Sequence, residues 1–176
     1  IISFATLKQV LGDDKDAIAK QMQNELERIE SSVAVSFDIE TYRNTITCIG
    51  VADSENDAVV IPFTGQFNHS QCIKLIRSLD KCLKSNAFKI GQNLDYDVQY
   101  SLYPYYKEMR KEATSGQYNA TLWEYNGIDC CITYEVGMKL WQELQSTRTQ
   151  KFFTSISMPV TKTLIRMEHR GVRVDI

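Results

Sequence analysis

The stretch VAVSFDIET, residues 33–41, decides the fold. Its first half is apolar and rich in β-branched residues, as expected of a strand that is covered on both faces. Asp38 and Glu40 follow at positions i and i+2, so both side chains leave the same face of the strand end. Two carboxylates held this close repel each other, and a bound divalent cation would turn that repulsion into affinity.

A polar strand end that enters a loop is the more common meaning of an isolated Asp-x-Glu pair. The chain contains a second pair with the same spacing, Asp53 and Glu55, and the Asn56-Asp57 after it indicates a surface turn. The pair at Asp38 therefore needs support from other parts of the chain before it can be read as a site.

Length and composition are those of an ordinary soluble globular protein. The chain has 176 residues, of which 43% are hydrophobic and 24% charged, enough for one domain with a buried core and the start of another. The formal net charge of -2 does not predict a polyanion partner, so any nucleic-acid surface has to be local. The chain opens without a methionine, and we expect it to be a fragment of a longer protein.

Cysteine and histidine usage argues against a zinc site or a disulfide framework. The five cysteines are odd in number and show no Cys-x-x-Cys spacing, which is typical of reduced core residues in a cytosolic protein. The two histidines lie in different contexts. No apolar run approaches the roughly 18 residues of a membrane-spanning helix, so no membrane partner is expected and the cytoplasm is the predicted location.

Hydrophobic periodicity predicts an α/β layer with one mixed sheet. Three consecutive strands with short connections are predicted at residues 33–38, 46–52 and 58–63, as an antiparallel meander. Helices are predicted from Asp16 to Ile29 and from Cys72 to Leu83, the second with Ser70 as its N-cap. A short strand at 87–90 and further helices follow.

Further acidic residues occur at two other predicted element ends. GQNLDYD, residues 91–97, follows the strand at 87–90 and places Asp97 at the start of a helix. Tyr125 and Asp129 are four residues apart and share one face of a later helix. Taken singly, Asp97 is more often an acid favoured by the helix dipole, Tyr125 is more often a core aromatic, and Asp95 competes with Asp97.

Together the three motifs resemble those of the 3'-5' exonucleases with an Asp-Glu-Asp-Asp-Tyr site, most of all the proofreading domain of family A (Pol I-like) DNA polymerases, with loose phage-type features. The tail at 158–175 is similar to the segment that joins that domain to the polymerase domain. The resemblance implies a ribonuclease H-like fold, with three antiparallel strands and then parallel strands flanked by helices. It also implies an exonuclease domain at 1–150, and at 151–176 a linker and first helix leading into a polymerase domain of the same longer chain. The cell implied by this resemblance is a bacterial or phage-infected one.

The family chemistry implies two divalent ions, Mg²⁺ or Mn²⁺, on oxygen ligands. Asp38, Glu40 and Asp129 would hold one ion, and Asp38 with Asp97 would support the other. Tyr125 and Glu40 would orient the attacking water. Tyr125 would not act as the base, because its hydroxyl is too weak an acid to lose its proton near neutral pH. The substrate would be a single-stranded or frayed 3' end of DNA, and the products nucleoside 5'-monophosphates.

Five residues are candidate contacts to the DNA: Thr41, Asn93, Tyr96, Arg110 and Lys111. Thr41 would lie near the terminal 3'-hydroxyl and Asn93 near the terminus, although Asn93 could equally cap a turn. Arg110 and Lys111, close to several tyrosines, would follow a single strand through phosphate contacts and stacking, or belong to a solvated loop.

The spacing between the second and third motifs departs from the family pattern. Only residues 98–128 separate Asp97 from Asp129, and Tyr100-Ser101 reads like a join from which residues are missing. Two other functions stay open at this point. One is an RNA-trimming 3'-5' exonuclease, since discrimination of ribose rests on contacts to the 2'-hydroxyl, and the other is an inactive strand-holding domain.

Overall fold

Five strands form one mixed sheet in the computed structural model, which describes residues 1–42, 45–92 and 119–171. The strands are β1 (Ile2–Ser3), β2 (Ala34–Tyr42), β3 (Thr45–Ala52), β4 (Ala58–Pro62) and β5 (Phe88–Ile90), and their order across the sheet is β1-β4-β3-β2-β5. β2, β3 and β4 are antiparallel neighbours, whereas β1 runs parallel to β4 and β5 parallel to β2. This confirms the predicted mixed sheet and is consistent with a ribonuclease H-like fold.

The helices of the described ranges are α1 (Phe4–Leu11), α2 (Lys15–Glu30), α3 (His69–Lys84), α4 (Ala120–Ser146), α5 (Gln150–Phe152) and α6 (Met158–Arg170). A π-helical turn, Phe153–Ser157, connects the last two. The chain forms two compact units, Ile1–Glu135 and Val136–Ile176, with α4 crossing the boundary. The division at residue 150 into an exonuclease domain and a linker stays a prediction. Among the described helices, none is long and apolar enough to cross a membrane.

The main hydrophobic core joins α2 and α3 to one face of the sheet. Alternate residues of β2 point into it, namely Val35, Phe37 and Ile39. α2 contributes its predicted apolar stripe, Ile18, Met22, Leu26 and Ile29, all of which are buried. The 3.6-residue spacing read from the sequence is therefore the spacing that packs this helix.

The N-cap of α3 differs from the prediction of Ser70. The helix begins at His69, and Asn68 caps it by accepting a hydrogen bond from the backbone N–H of Gln71 at 3.0 Å. The side-chain oxygen of Gln71 accepts from the backbone N–H of Asn68 at 2.9 Å, which completes a capping box. Ser70 lies inside the first turn, where it cannot take this role.

The first residues of the chain form an edge strand and the cap of a helix. Ile2 and Ser3 pair with Val59 and Val60 as the parallel edge strand β1. Ser3 then caps α1 in a reciprocal capping box with Thr6. A two-residue strand has no periodicity of its own, and only its neighbour β4 defines it.

Helix α4 packs on the other face of the sheet, over Gly50 of β3. Gly50 pairs with Asp38 of β2 on one side and with Val60 of β4 on the other. A Cβ atom at Gly50 would overlap with Oδ1 of Asn126 and would lie 2.6 Å from Sγ of Cys130. The absence of a side chain at this position is therefore what lets the helix approach the sheet closely.

Gly50→Ala should lower the free energy of unfolding by about 1–3 kcal/mol, because the added methyl group forces the buried side chains of α4 out of their positions. Denaturant titration of the purified chain measures this change. Combining the substitution with Asn126→Ala, which empties part of the contacted volume, should recover some of the loss. A single Gly50→Ala variant as stable as the parent would show that α4 does not depend on this contact.

Candidate metal centre

Three carboxylates from two elements converge at the end of β2. Asp38 and Glu40 come from β2 and Asp129 comes from α4, and one carboxylate oxygen of each lies within 4.8 Å of the others. All three residues are half-buried. The alternation of a strand places the first two on one face, and the packing of α4 over Gly50 adds the third.

An irregularity in the β2–β3 pairing lies directly beside the cluster. Glu40 pairs with Cys48, but the next residue, Thr41, pairs with Ile46, so Thr47 is an extra residue on β3. The Thr47 hydroxyl donates a hydrogen bond to the backbone carbonyl of Glu40 at 3.0 Å. A bulge of this kind bends a strand and changes the direction of its side chains, and Glu40 and Thr41 lie where this happens.

Asn126 of α4 holds the carboxylate of Asp38. Its side chain is fully buried, and its Nδ2 donates to Oδ2 of Asp38 at 2.7 Å and, at 3.4 Å, to the backbone carbonyl of the same residue. The sequence reasoning missed this residue. The available signal was its position three residues before Asp129, which puts both on one helical face.

Burial and mutual repulsion both disfavour charge on the two strand carboxylates. Burial raises the pKa of Asp38, the hydrogen bond from Asn126 opposes that rise, and the charge of Asp129 adds to it. Burial likewise raises the pKa of Glu40, with further contributions from the charges of Asp38 and Asp129. Within the described ranges, none of the ion pairs includes any of the three carboxylates.

The second Asp-x-Glu pair, Asp53 and Glu55, lies in a different environment from the pair at Asp38. Ser54 accepts hydrogen bonds from the backbone N–H groups of Asn56 and Asp57, which confirms the predicted turn. Asp53, however, is not a solvated turn residue: its side chain is only 8% exposed and accepts from Arg28 at 2.7 and 3.1 Å. The carboxylate charge of Asp53 is thus compensated by the guanidinium of Arg28. Asp38 belongs to a pair with the same spacing, but no cation of the described residues forms an ion pair with it.

Tyr125 lies one helical turn before Asp129 and is 53% exposed, so it is not the core aromatic that its residue type alone would favour. A hydrogen bond with Asp129 and the charge of that carboxylate raise the pKa of Tyr125. The hydroxyl therefore keeps its proton near neutral pH and faces the acidic cluster as a hydrogen-bonding group.

Several predicted site residues lie outside the described residues, namely Asn93, Tyr96, Asp97, Arg110 and Lys111. The competing Asp95 and the suspected join at Tyr100-Ser101 also lie outside them. Their proposed roles stay predictions. Thr41 is described and is half-buried in β2, next to Glu40.

The donor set of the cluster fits a hard divalent cation. Carboxylate oxygens are the ligands that Mg²⁺, Mn²⁺ and Ca²⁺ take in proteins, and neither a histidine nor a cysteine belongs to the described group. A cation would also neutralise the repulsion that raises the pKa values of Asp38 and Glu40. The described residues could therefore hold a metal ion, and their chemistry leaves open which of these it is.

Glu40→Gln should raise the melting temperature of the metal-free chain at neutral pH by about 2 °C, since it removes one charge from the cluster. The rise is small because solvent screens the exposed part of the side chain. Thermal unfolding in EDTA measures it, with the exposed Glu55→Gln as the matched control. An unchanged or lower melting temperature for Glu40→Gln would contradict the repulsion.

The difference in stability between the parent chain and Glu40→Gln should depend on pH, and the direction of this dependence follows from the pKa of Glu40. The pKa of Glu40 is raised above its ordinary value of 4.5, so the folded chain binds this proton more tightly than the unfolded chain does. Lowering the pH through that raised pKa therefore relieves the repulsion in the parent protein. The stability advantage of Glu40→Gln should be present at neutral pH and shrink as the pH falls through this window.

Comparison with known proteins gives a partial relationship. No family model matches the chain. A stretch of 56 residues is 39% identical to the DNA polymerase I of Synechocystis sp. (strain ATCC 27184 / PCC 6803 / Kazusa), covering 31% of this chain and 6% of that protein. The chain thus matches only a small part of the length of this curated relative. This similarity supports a relationship with DNA polymerase I-like proteins.

Proposed function

We propose that this chain is a metal-dependent 3'-5' exonuclease that removes nucleoside 5'-monophosphates from the 3' ends of DNA and proofreads for a DNA polymerase. The observation that carries the proposal is the acidic cluster of Asp38, Glu40 and Asp129, which forms no ion pair with a cation of the described residues and has Tyr125 one turn before Asp129. The partial identity with a DNA polymerase I supports the polymerase setting.

In this proposal Asp38, Glu40 and Asp129 would hold one Mg²⁺ or Mn²⁺ ion, and Asp38 with Asp97 would support a second. When bound, the ions supply Lewis-acid activation of water and neutralise charge at the phosphodiester. Without them the carboxylates repel the backbone phosphates, so the metal-free site should bind DNA poorly. The chain's own contribution is to hold three oxygen ligands in place on two rigid elements.

Tyr125 is assigned to the orientation of the attacking water. Its raised pKa keeps the hydroxyl protonated, which excludes the role of a general base. The hydroxyl lies near enough to Asp129 for that carboxylate to raise its pKa. Glu40, half-buried in the same cluster, is the second residue proposed to orient that water.

Recognition of the DNA end is proposed for residues around the cluster. Thr41 follows Glu40 in β2, opposite the bulge of β3, and is assigned a contact near the terminal 3'-hydroxyl. Asn93, Tyr96, Arg110 and Lys111 are the other proposed contacts. Because the net charge is only -2, attraction of DNA has to come from such local groups.

Degradation of a 5'-labelled single-stranded oligodeoxynucleotide tests the proposal. With Mg²⁺ or Mn²⁺ the parent chain should give a ladder that shortens from the 3' end, and EDTA should abolish it. Asp38→Ala should lower the rate by more than about 100-fold, because it removes a ligand where outer-shell changes alone cost about 10–100-fold. Glu55→Ala, from the exposed turn, is the matched control and should cleave like the parent.

The outcomes separate the competing functions. RNA of the same sequence, degraded faster than the DNA, would favour an exoribonuclease instead. No ladder from a folded chain of the expected mass, at any concentration of either metal, would contradict the proposal and favour a strand-holding domain. A ladder that persists in Asp38→Ala would show that another site performs the cleavage.

Tyr125→Phe should lower the rate constant of cleavage by about 100-fold while the fold and metal binding stay unchanged, because only the orientation of the water is lost. Single-turnover cleavage with saturating enzyme measures this constant, and a Mn²⁺ titration supplies the control. Because Tyr125 is 53% exposed, the lost hydroxyl leaves no cavity in the core. A rate equal to that of the parent would remove Tyr125 from the mechanism.

A further inference from the structure

The two polar atoms of the buried Asn126 amide differ in their hydrogen bonding to the described residues. Its Nδ2 donates to Oδ2 of Asp38 at 2.7 Å, whereas its Oδ1 is buried without a hydrogen-bond partner in the described part of the chain. An unpaired buried carbonyl costs stability, so packing alone would favour an apolar residue of similar shape. What an asparagine adds here is the hydrogen bond to Asp38.

That hydrogen bond restrains Asp38 at two points. The same Nδ2 lies 2.7 Å from the carboxylate oxygen and 3.4 Å from the backbone carbonyl oxygen of Asp38. A donor shared between the side chain and the main chain of one residue limits the rotation of that side chain. Of the two carboxylate oxygens of Asp38, Asn126 donates to Oδ2 and not to Oδ1.

Gly50 supplies the space that this arrangement needs. It is the cross-strand partner of Asp38, and a Cβ atom there would overlap with Oδ1 of Asn126. The bare backbone of Gly50 thus lets an asparagine, with its short side chain, reach Asp38 from α4. Oδ1 lies against Gly50, so it is not placed as a fourth oxygen ligand of the cluster.

We propose that Asn126 is a positioning residue that holds the Asp38 carboxylate in the orientation required by a divalent cation, across the gap left by Gly50. This inference rests on the proposed function, because it names the residue that prepares the same metal site. The acidic cluster provides the ligands, and the buried Asn126 amide, aimed at one of them, is the independent observation.

Mn²⁺ binding to the full chain, followed by electron paramagnetic resonance of the free ion, tests the inference. Asn126→Leu keeps the branched shape and removes both polar atoms. It should raise the dissociation constant for Mn²⁺ by about 10-fold or more, the size typical of residues that orient a metal ligand. The melting temperature in EDTA should fall only modestly, because the lost hydrogen bond to Asp38 is partly offset by removal of the unsatisfied carbonyl.

Ser36→Ala is the matched control. The buried Ser36 hydroxyl donates to the backbone carbonyl of Cys130 at 2.7 Å, so it also joins β2 to α4, but its hydrogen bonds go to backbone carbonyls of the described residues and not to a carboxylate of the cluster. This variant should lower the melting temperature and leave Mn²⁺ binding as in the parent. Should Asn126→Leu fail to fold, Asn126→Ala, which makes no new contact with Gly50, takes its place in the same titration.

The titration distinguishes the failure of this inference from the failure of the proposed function. Equal Mn²⁺ affinity in the parent and in a folded Asn126 variant, with affinity lost in Asp38→Ala, would overturn the positioning role alone. Weaker binding in Ser36→Ala by the same factor would also overturn it, since any loosening of α4 would then suffice. A parent chain that binds no Mn²⁺, or binds it unchanged in Asp38→Ala, would overturn both proposals.

Discussion

The close approach of α4 to the sheet at Gly50 is the contact on which the candidate site depends. Hydrogen bonds between β2 and α4 lie on this face, from Ser36 to Cys130 and from Asn126 to the carboxylate and the backbone carbonyl of Asp38. They are formed one helical turn apart, because Asn126 and Cys130 are separated by four residues. Through this contact a carboxylate on a helix joins two carboxylates on a strand.

The acidic cluster lowers the stability of the unit that contains it, and apolar burial elsewhere in that unit offsets the loss. Burial and like charge raise the pKa values of Asp38 and Glu40, so their ionised forms weaken the fold in the absence of a cation. The opposite face of β2 packs into the main core with α2 and α3, which supplies the compensating apolar burial. Asp53 shows the other solution, in which a guanidinium neutralises a poorly exposed carboxylate. A site retained with unfavourable charge is typical of function rather than of packing.

Much of the fold follows from patterns in the sequence that span only a few neighbouring residues. Alternation in β2 and the helical spacing of α2 are local, and the antiparallel meander follows from short connections between strands. The two-residue strand β1 and the capping of α3 by Asn68 were not predicted. The strand exists only through its pairing with β4, and the cap needed the reciprocal bond with Gln71 to be recognised over the nearby Ser70.

By itself, the sequence determined that Asp38 and Glu40 share a strand face and that Tyr125 and Asp129 share a helical face, because both follow from backbone periodicity. The tertiary structure alone decided that these two faces meet, that Asn126 holds Asp38 over a separation of 88 positions, and that Gly50 makes room for it. It also decided that Asp53 is neutralised by Arg28. Such contacts depend on how separate elements pack against one another. The periodicity of a single element carries no information about that packing.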